Sequence, residues 1–202
     1  MKVMIVFESM YGNTRHIADA IGSGFDDGDD VRIEFLGSVD PASLDADLLV
    51  VGGRTGVHCL TTPTKWRAAV EAVGQDPTLM LKQATYDAPL HEWLYALPNA
   101  WAFAAAFDTR LDAPMPPTGH ASAMIARSLT QRGYRLITEP QSFFIDHEST
   151  LIDGELERAR RWGEELSAEM HDADPTADMV LNVRTVTNRN SGAEMATLAA
   201  DN

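Results

Sequence analysis

The stretch Ile5-Val6-Phe7-Glu8-Ser9-Met10-Tyr11-Gly12-Asn13-Thr14-Arg15-His16-Ile17-Ala18 changes character twice. Val3 to Phe7 is a continuous apolar run, the pattern of a strand buried on both faces. Glu8 to Thr14 is a polar turn with Asn13 and Thr14 available as helix caps. Ile17, Ala20, Ile21, Gly24 and Phe25 then recur at helical spacing. In an open parallel sheet, ligands sit outside the carboxyl ends of the strands, so this turn is where chemistry is expected. Ser9, Asn13 and Thr14 supply short side-chain donors, and Gly12 lets the backbone approach a ligand closely. The helix that follows aims its free N–H groups and positive end at the same point. Together these make a phosphate cradle without a cationic side chain.

The same alternation of strand and helix continues down the chain. The helix gives out in Asp26-Asp27-Gly28-Asp29-Asp30. Residues 31–35 and 48–51 read as the second and third strands, the third ending at Gly52-Gly53. Residues 63–73 read as a helix opened by Pro63, and 89–97 as one or two helical turns. Residues 101–107 are expected as the fourth buried strand, between Pro98-Asn99 and Asp108-Thr109, although their alanines favour helix by propensity. A helix from Ala121 ends near Gly133, and residues 135–138 and 142–145 make a fifth strand broken at Pro140. Asp153 is placed to cap a last helix whose inward stripe is Leu156, Ala159, Trp162, Gly163, Leu166 and Met170. This is the pattern of an α/β three-layer sandwich, a five-stranded parallel sheet with helices on both faces. One domain is expected over 1–171, followed by an acidic, flexible tail over 172–202 in which only 179–187 has strand-like composition.

Composition narrows the function. The chain has 202 residues with 45% hydrophobic and 23% charged residues, the ordinary mixture of a globular protein. Sixteen Lys and Arg against thirty Asp and Glu give a net charge of −14. Lys occurs only at positions 2, 65 and 82, so no basic stripe exists for nucleic acid. From Asp19 to Asp47 there are nine acidic residues and one base, Arg32. Such a surface favours solubility, steers a basic partner, or opposes added negative charge on a bound group. The longest apolar run, Ala100 to Phe107, is far short of the roughly 18 residues that cross a bilayer. Lys2 precedes only five apolar residues before Glu8, too few for a secretory signal. One cysteine, Cys59, excludes an internal disulfide and any multi-cysteine metal centre, and the six histidines are scattered. A cytoplasmic protein without membrane or nucleic-acid partners is therefore expected.

Other chemistries on this topology fail on their own residues. A receiver domain needs two acids after the first strand and an Asp after the third, where Glu8-Ser9 and Gly52-Gly53 stand. A low-molecular-weight tyrosine phosphatase needs a cysteine in the first loop, and Cys59 lies in the second. Neither G-x-x-x-x-G-K-[ST] nor G-x-G-x-x-G occurs.

The run Ile5 to Ala18 resembles the flavodoxin signature: a strand, an S-x-x-G-x-T turn, then a helix with a small residue four past the Thr. Ala46-Asp-Leu-Leu-Val-Val-Gly-Gly53, Ala105-Ala-Phe-Asp-Thr-Arg110 and Gly154-Glu-Leu-Glu-Arg-Ala159 resemble a bacterial flavodoxin-domain subfamily, of the short-chain kind, through about residue 170. The resemblance implies sheet order 2-1-3-4-5 and flavin mononucleotide (FMN), its phosphate held by Ser9, Met10, Tyr11, Gly12, Asn13 and Thr14. It implies that Gly53, Arg54, Thr55, Gly56, Val57 and His58 lie beside the flavin ring, with His58 the leading candidate to stack on it. The loop departs from many members, which carry Pro at Arg54 and an aromatic at Gly56 or Val57. The resemblance also makes Phe107, Asp108, Thr109 and Arg110 a third loop, with Asp108 on the flavin's pyrimidine edge or, equally, a turn cap, and Phe107 packing beneath. Arg110 would anchor that loop through Asp108 or Asp112. Gly53 or Gly56 would turn its peptide toward the reduced ring.

The function implied is an electron carrier between redox partner proteins, a reductase and an acceptor, working as a monomer or weak dimer. One carboxylate about 10 Å from the flavin opposes its reduction by roughly 0.4 kcal/mol in water-like dielectric, and many together would lower the potential. The alternatives are an NAD(P)H:quinone reductase or protoporphyrinogen-oxidase-like enzyme, with Trp93, Tyr95 and Trp101 walling a substrate pocket, or a flavin-free interaction module.

Overall fold

A computed structural model of the chain describes residues 1–9, 12–55, 90–100, 102–113 and 120–173. The expected helix over 63–73, the residues 56–59 and the strand-like 179–187 lie outside the described residues. The chain divides into two units, Met1–Ser167 and Ala168–Asn202, and the sheet and the site belong to the first.

Strand β1 (Lys2–Phe7) pairs in parallel with β2 (Asp30–Phe35) on one side and β3 (Leu48–Arg54) on the other. β3 pairs in turn with β4 (Phe103–Leu111). β5 (Arg135–Leu136) and β6 (Gln141–Ile145) both pair with β4, the first at Phe103 and Ala104, the second at Phe107 to Leu111. They fill one fifth position interrupted around Pro140, which has no N–H to give a ladder. The order is 2-1-3-4-5 with parallel pairing between the named strands, as the resemblance implied.

Two strands run longer than expected. Gly52, Gly53 and Arg54 stay in the β3 ladder, and Phe107 to Arg110, expected as a loop, lie inside β4. The reason is that β4 keeps a partner on each side: β3 as far as Thr109 and β6 as far as Leu111. Its backbone bonds therefore continue past the polar residues that suggested a turn.

Helix α1 (Asn13–Gly22) covers one face of the sheet together with α4 (Glu155–Asp172). Their contact is backbone to backbone: a Cβ on Gly163 would run into the Ile21 carbonyl, and one on Gly24 into that of Arg160. Beneath them Phe107, Phe143 and Trp162 meet edge to face with centroids 6.1 to 6.3 Å apart. Helices α2 (Leu90–Ala96) and α3 (Ala121–Gln131) cover the other face, where Leu90, Trp93, Leu94, Ile125 and Leu129 pack on Val6, Leu49, Val51, Ala104 and Ala106. No described helix is long and apolar enough to cross a membrane.

The inward stripe of α4 is offset from the expected one. Leu156 is 48% exposed, and Glu155 turns inward instead with Ala159, Trp162, Gly163 and Leu166. Glu155 is held there by the Phe144 N–H (2.8 Å) and by Arg158 (2.5 Å), whose guanidinium lies 4.3 Å over the Phe143 ring. The chain enters α4 through Gly154 at φ +87°, so Asp153 stands one residue too early to cap it.

Candidate functional site

The turn after β1 is built around Gly12. Its φ of +95° is a left-handed conformation that only glycine adopts without strain, and a Cβ there would meet no atom of the described residues within 4 Å. Among the described residues nothing crowds the position, and the left-handed φ is what calls for glycine here. The Gly12 N–H donates to Ser9 Oγ (3.1 Å), which leaves the buried Ser9 hydroxyl its own proton to donate.

Asn13 and Thr14 were expected as caps; they are the first two helical residues, and Gly12 stands at the N-cap with no side-chain capping bond. Their side chains are used elsewhere. Asn13 Nδ2 donates to the Ser149 carbonyl (2.7 Å), and the Thr14 hydroxyl meets the Thr109 hydroxyl of β4 (2.9 Å). Among the described residues no side chain caps the opening N–H groups of α1, which have the positive end of the helix behind them. Such a helix end holds a phosphate through neutral donors. Met10 and Tyr11 lie outside the described residues.

The neighbouring strand ends are more committed than the sequence implied. Gly53 is buried in the ladder, and a Cβ on it would stand 2.6 Å from Leu90 Cδ2, so packing accounts for this glycine. Arg54 ends β3 in register with Thr109, and the Thr55 N–H bonds the Thr109 carbonyl (2.9 Å). Asp108 is fully buried. It accepts from the Ser122 N–H (3.1 Å) and from the Thr55 hydroxyl, which itself accepts from the Ala121 N–H (2.8 Å). Of the two roles left open for Asp108, these bonds supply the cap: Thr55 and Asp108 pin the start of α3.

Phe107 is fully buried and belongs to the aromatic cluster under α1 and α4. Arg110 bonds neither Asp108 nor Asp112. Its Nη1 donates to the carbonyls of Leu111 (3.3 Å) and Ala113 (3.2 Å), and its guanidinium lies 4.5 Å over the Phe144 ring. Gly56, Val57, His58 and Cys59 lie outside the described residues, as does Trp101. The described site therefore brings together Ser9, Gly12, Asn13, Thr14, Arg54, Thr55 and Thr109, while Phe107 and Arg110 are turned to other tasks.

Two features were missed at the sequence level. An open groove of about 550 Å³ runs from the turn toward the end of β2, lined by Phe7, Ser9, Gly12, Arg15, His16 and Phe35. Its signal was present in the aromatic ends of β1 and β2, Phe7 and Phe35, which meet edge to face at 6.0 Å. The second is Glu8, between the apolar strand and Ser9. Its Oε2 is shielded from solvent with no hydrogen-bond partner, and burial pushes its carboxyl up to about 7 against the opposing pull of Arg54.

No family model matches the chain, and no curated protein does. Solved structures do match in fold. An archaeal flavodoxin superposes with a TM-score of 0.57 at 20% identity, covering 85% of this chain and 99% of its own. Flavodoxin 1 from Bacillus cereus gives 0.56 at 19% identity, covering 86% and 99%. A Streptococcus pneumonia TIGR4 flavodoxin gives 0.57 at 21%, covering 84% and 99%. With the parallel 2-1-3-4-5 sheet and the glycine turn at the end of its first strand, the chain is a protein of the flavodoxin-like fold.

Proposed function

We propose that the chain binds FMN at the turn after β1 and carries electrons between two redox partner proteins, a reductase and an acceptor, as a monomer or weak dimer. The observation that carries this reading is the start of α1: a left-handed Gly12 at the N-cap with no side-chain cap among the described residues. A phosphate monoester fits such a niche because uncharged donors plus a helix end favour an anion without a fixed counter-charge.

The N–H groups of Asn13 and Thr14 and the Ser9 hydroxyl would hold the phosphate. Arg54 and Thr55, at the carboxyl end of β3, would border the ring together with Gly56, Val57 and His58. When bound, the flavin supplies the one- and two-electron chemistry. The chain fixes the phosphate, holds the helix rigid through Asn13 and Thr14, and opposes added electrons with its net charge of −14.

Titration of the purified protein, stripped of flavin, with FMN, riboflavin and FAD tests the reading by quenching of flavin fluorescence. Tighter binding of FMN than of riboflavin supports it, and equal affinity overturns the phosphate niche. Steady-state NADH oxidation with a quinone separates carrier from enzyme: slow turnover that accelerates on adding a flavodoxin reductase supports the carrier, fast turnover unaided the oxidoreductase. A protein that binds none of the three ligands is an interaction module.

A further inference from the structure

Strand β2 stands at the end of the sheet order, with β1 on one side and no described strand on the other. The Asp30 N–H donates to the Met1 carbonyl (2.8 Å), which sets the phase of the strand. Asp30, Arg32 and Glu34 therefore turn their backbone groups toward β1, and Val31, Ile33 and Phe35 turn theirs to the outer edge. The side chains alternate with the same period. Val31, Ile33 and Phe35 are half-buried on the face of α1, where Ile33 Cδ1 stands 2.6 Å from the place of a Cβ on Gly22 and the Phe35 ring meets Phe7. Asp30, Arg32 and Glu34 are exposed on the other face, with Arg32 Nη2 3.2 Å from Asp30 Oδ2.

Proteins blunt such edges with proline, β-bulges or repelling charges. β2 has neither a proline nor a break in its register with β1, and the charges along its outer row alternate in sign. Antiparallel pairing with a second copy, about a two-fold axis at Ile33, sets Ile33 opposite its own copy, Val31 opposite Phe35 and Arg32 opposite Glu34. Val31, Ile33 and Phe35 then form the hydrogen-bonded pairs, in phase with their outward N–H and C=O groups, and each of these groups gains a partner. Arg32 and Glu34 fall at the pairs without hydrogen bonds, where facing side chains stand closest. The neighbouring two-fold registers are worse. Centring on Arg32 sets it against itself and Asp30 against Glu34; centring on Glu34 sets Glu34 against itself; centring on Val31 leaves Phe35 beyond the ladder.

We propose that the outer edge of β2 is a self-pairing surface, which joins two copies of the chain through an antiparallel β2–β2 ladder held in register by Arg32 and Glu34. This rests on the weak-dimer form of the proposed carrier and not on the flavin. The contact is one strand deep, in the size class of transient association. The net charge of −14 on each copy opposes it, and physiological salt screens that repulsion beyond about 8 Å while the facing pairs stay in contact. The two-fold axis sends the turns after β1 to opposite ends of the joined sheet, so pairing leaves both clear.

Sedimentation velocity of the full chain at about 0.15 M salt reads the assembly. The expected result is a shift from monomer to dimer between micromolar and millimolar protein. Arg32→Glu and Glu34→Arg, both at exposed positions, each set like charges across the ladder and weaken the dimer about tenfold or more. An equimolar mixture of the two variants restores it, since opposite charges then face each other. Net charge alone predicts otherwise: the less negative Glu34→Arg chain would associate more tightly than wild type. Hydrogen exchange at low and high concentration follows the Val31, Ile33 and Phe35 amides, which slow as dimers form. A wild-type chain that stays monomeric throughout overturns the proposal and leaves FMN binding, titrated separately, standing; slow exchange of those amides in such a monomer would give the edge to a segment of the same chain. A dimer that both variants keep, or that forms while those amides exchange freely, overturns it as well. The wild-type exchange measurement decides the matter even where a variant does not fold.

Discussion

The hydroxyls of Thr14 and Thr109 meet at 2.9 Å, although 95 residues separate them along the chain. Both are buried, at 2% and 1% exposure, so neither has water as an alternative partner. The bond fastens the first turn of α1 to the end of β4, next to the register partner Arg54. The direction in which the helix N–H groups point is thus set by a strand from the other half of the sheet.

Thr14→Val or Thr109→Val alone leaves a buried hydroxyl without a partner, which costs on the order of 1–3 kcal/mol. The double replacement removes both polar groups with nearly unchanged shape, so its cost falls well below the sum of the singles. Urea unfolding of the four proteins measures this cycle. Costs that simply add would mean that the two hydroxyls stabilise the fold independently.

The contact of α1 with α4 has no room for a methyl group. Gly163→Ala would press its Cβ into the Ile21 carbonyl, a backbone atom that cannot rotate away, and should cost about 1–3 kcal/mol through separation of the two helices. Gly28→Ala is the control: a Cβ there meets nothing within 4 Å, and the expected change is within about 0.5 kcal/mol. Thermal unfolding followed by circular dichroism compares the two. A Gly163→Ala protein as stable as Gly28→Ala would contradict the close crossing.

The fold was legible because its signals are local. Val3 to Phe7 and Leu48 to Val51 are buried runs of strand length, and Gly12 and Pro140 mark a turn and a break that the backbone obeys. The polar residues of the site were harder to place, since their roles depend on partners distant in sequence. Asp108 reads like a loop residue, yet it faces the N–H of Ser122 and the hydroxyl of Thr55 inside a continuing ladder. Thr14 reads like a cap until the hydroxyl of Thr109 comes into reach. Leu156 and Glu155 exchange places because Arg158 and the Phe144 N–H satisfy a carboxylate that hydrophobicity alone would send outward. Glu8 carries no sequence signal beyond its position, because its behaviour comes from burial.

That burial makes the stability of the flavin-free protein depend on pH in an unusual direction. Folding moves the Glu8 carboxyl from its ordinary 4.5 up to about 7, so between these values the folded chain holds a proton that the unfolded chain has released. The contribution is fully present below pH 4.5 and is lost as pH rises through 7, a loss on the order of 3 kcal/mol by pH 8. Glu8→Gln keeps the shape and cannot ionise. Relative to wild type it should therefore gain stability from pH 5 to about pH 7 and level off toward pH 8. Urea unfolding at pH 5, 6.5 and 8 reads the difference between the two proteins, in which the titration of all other carboxylates and histidines cancels. Profiles that run parallel across this range would place the Glu8 carboxyl in water rather than beneath α2 and α3.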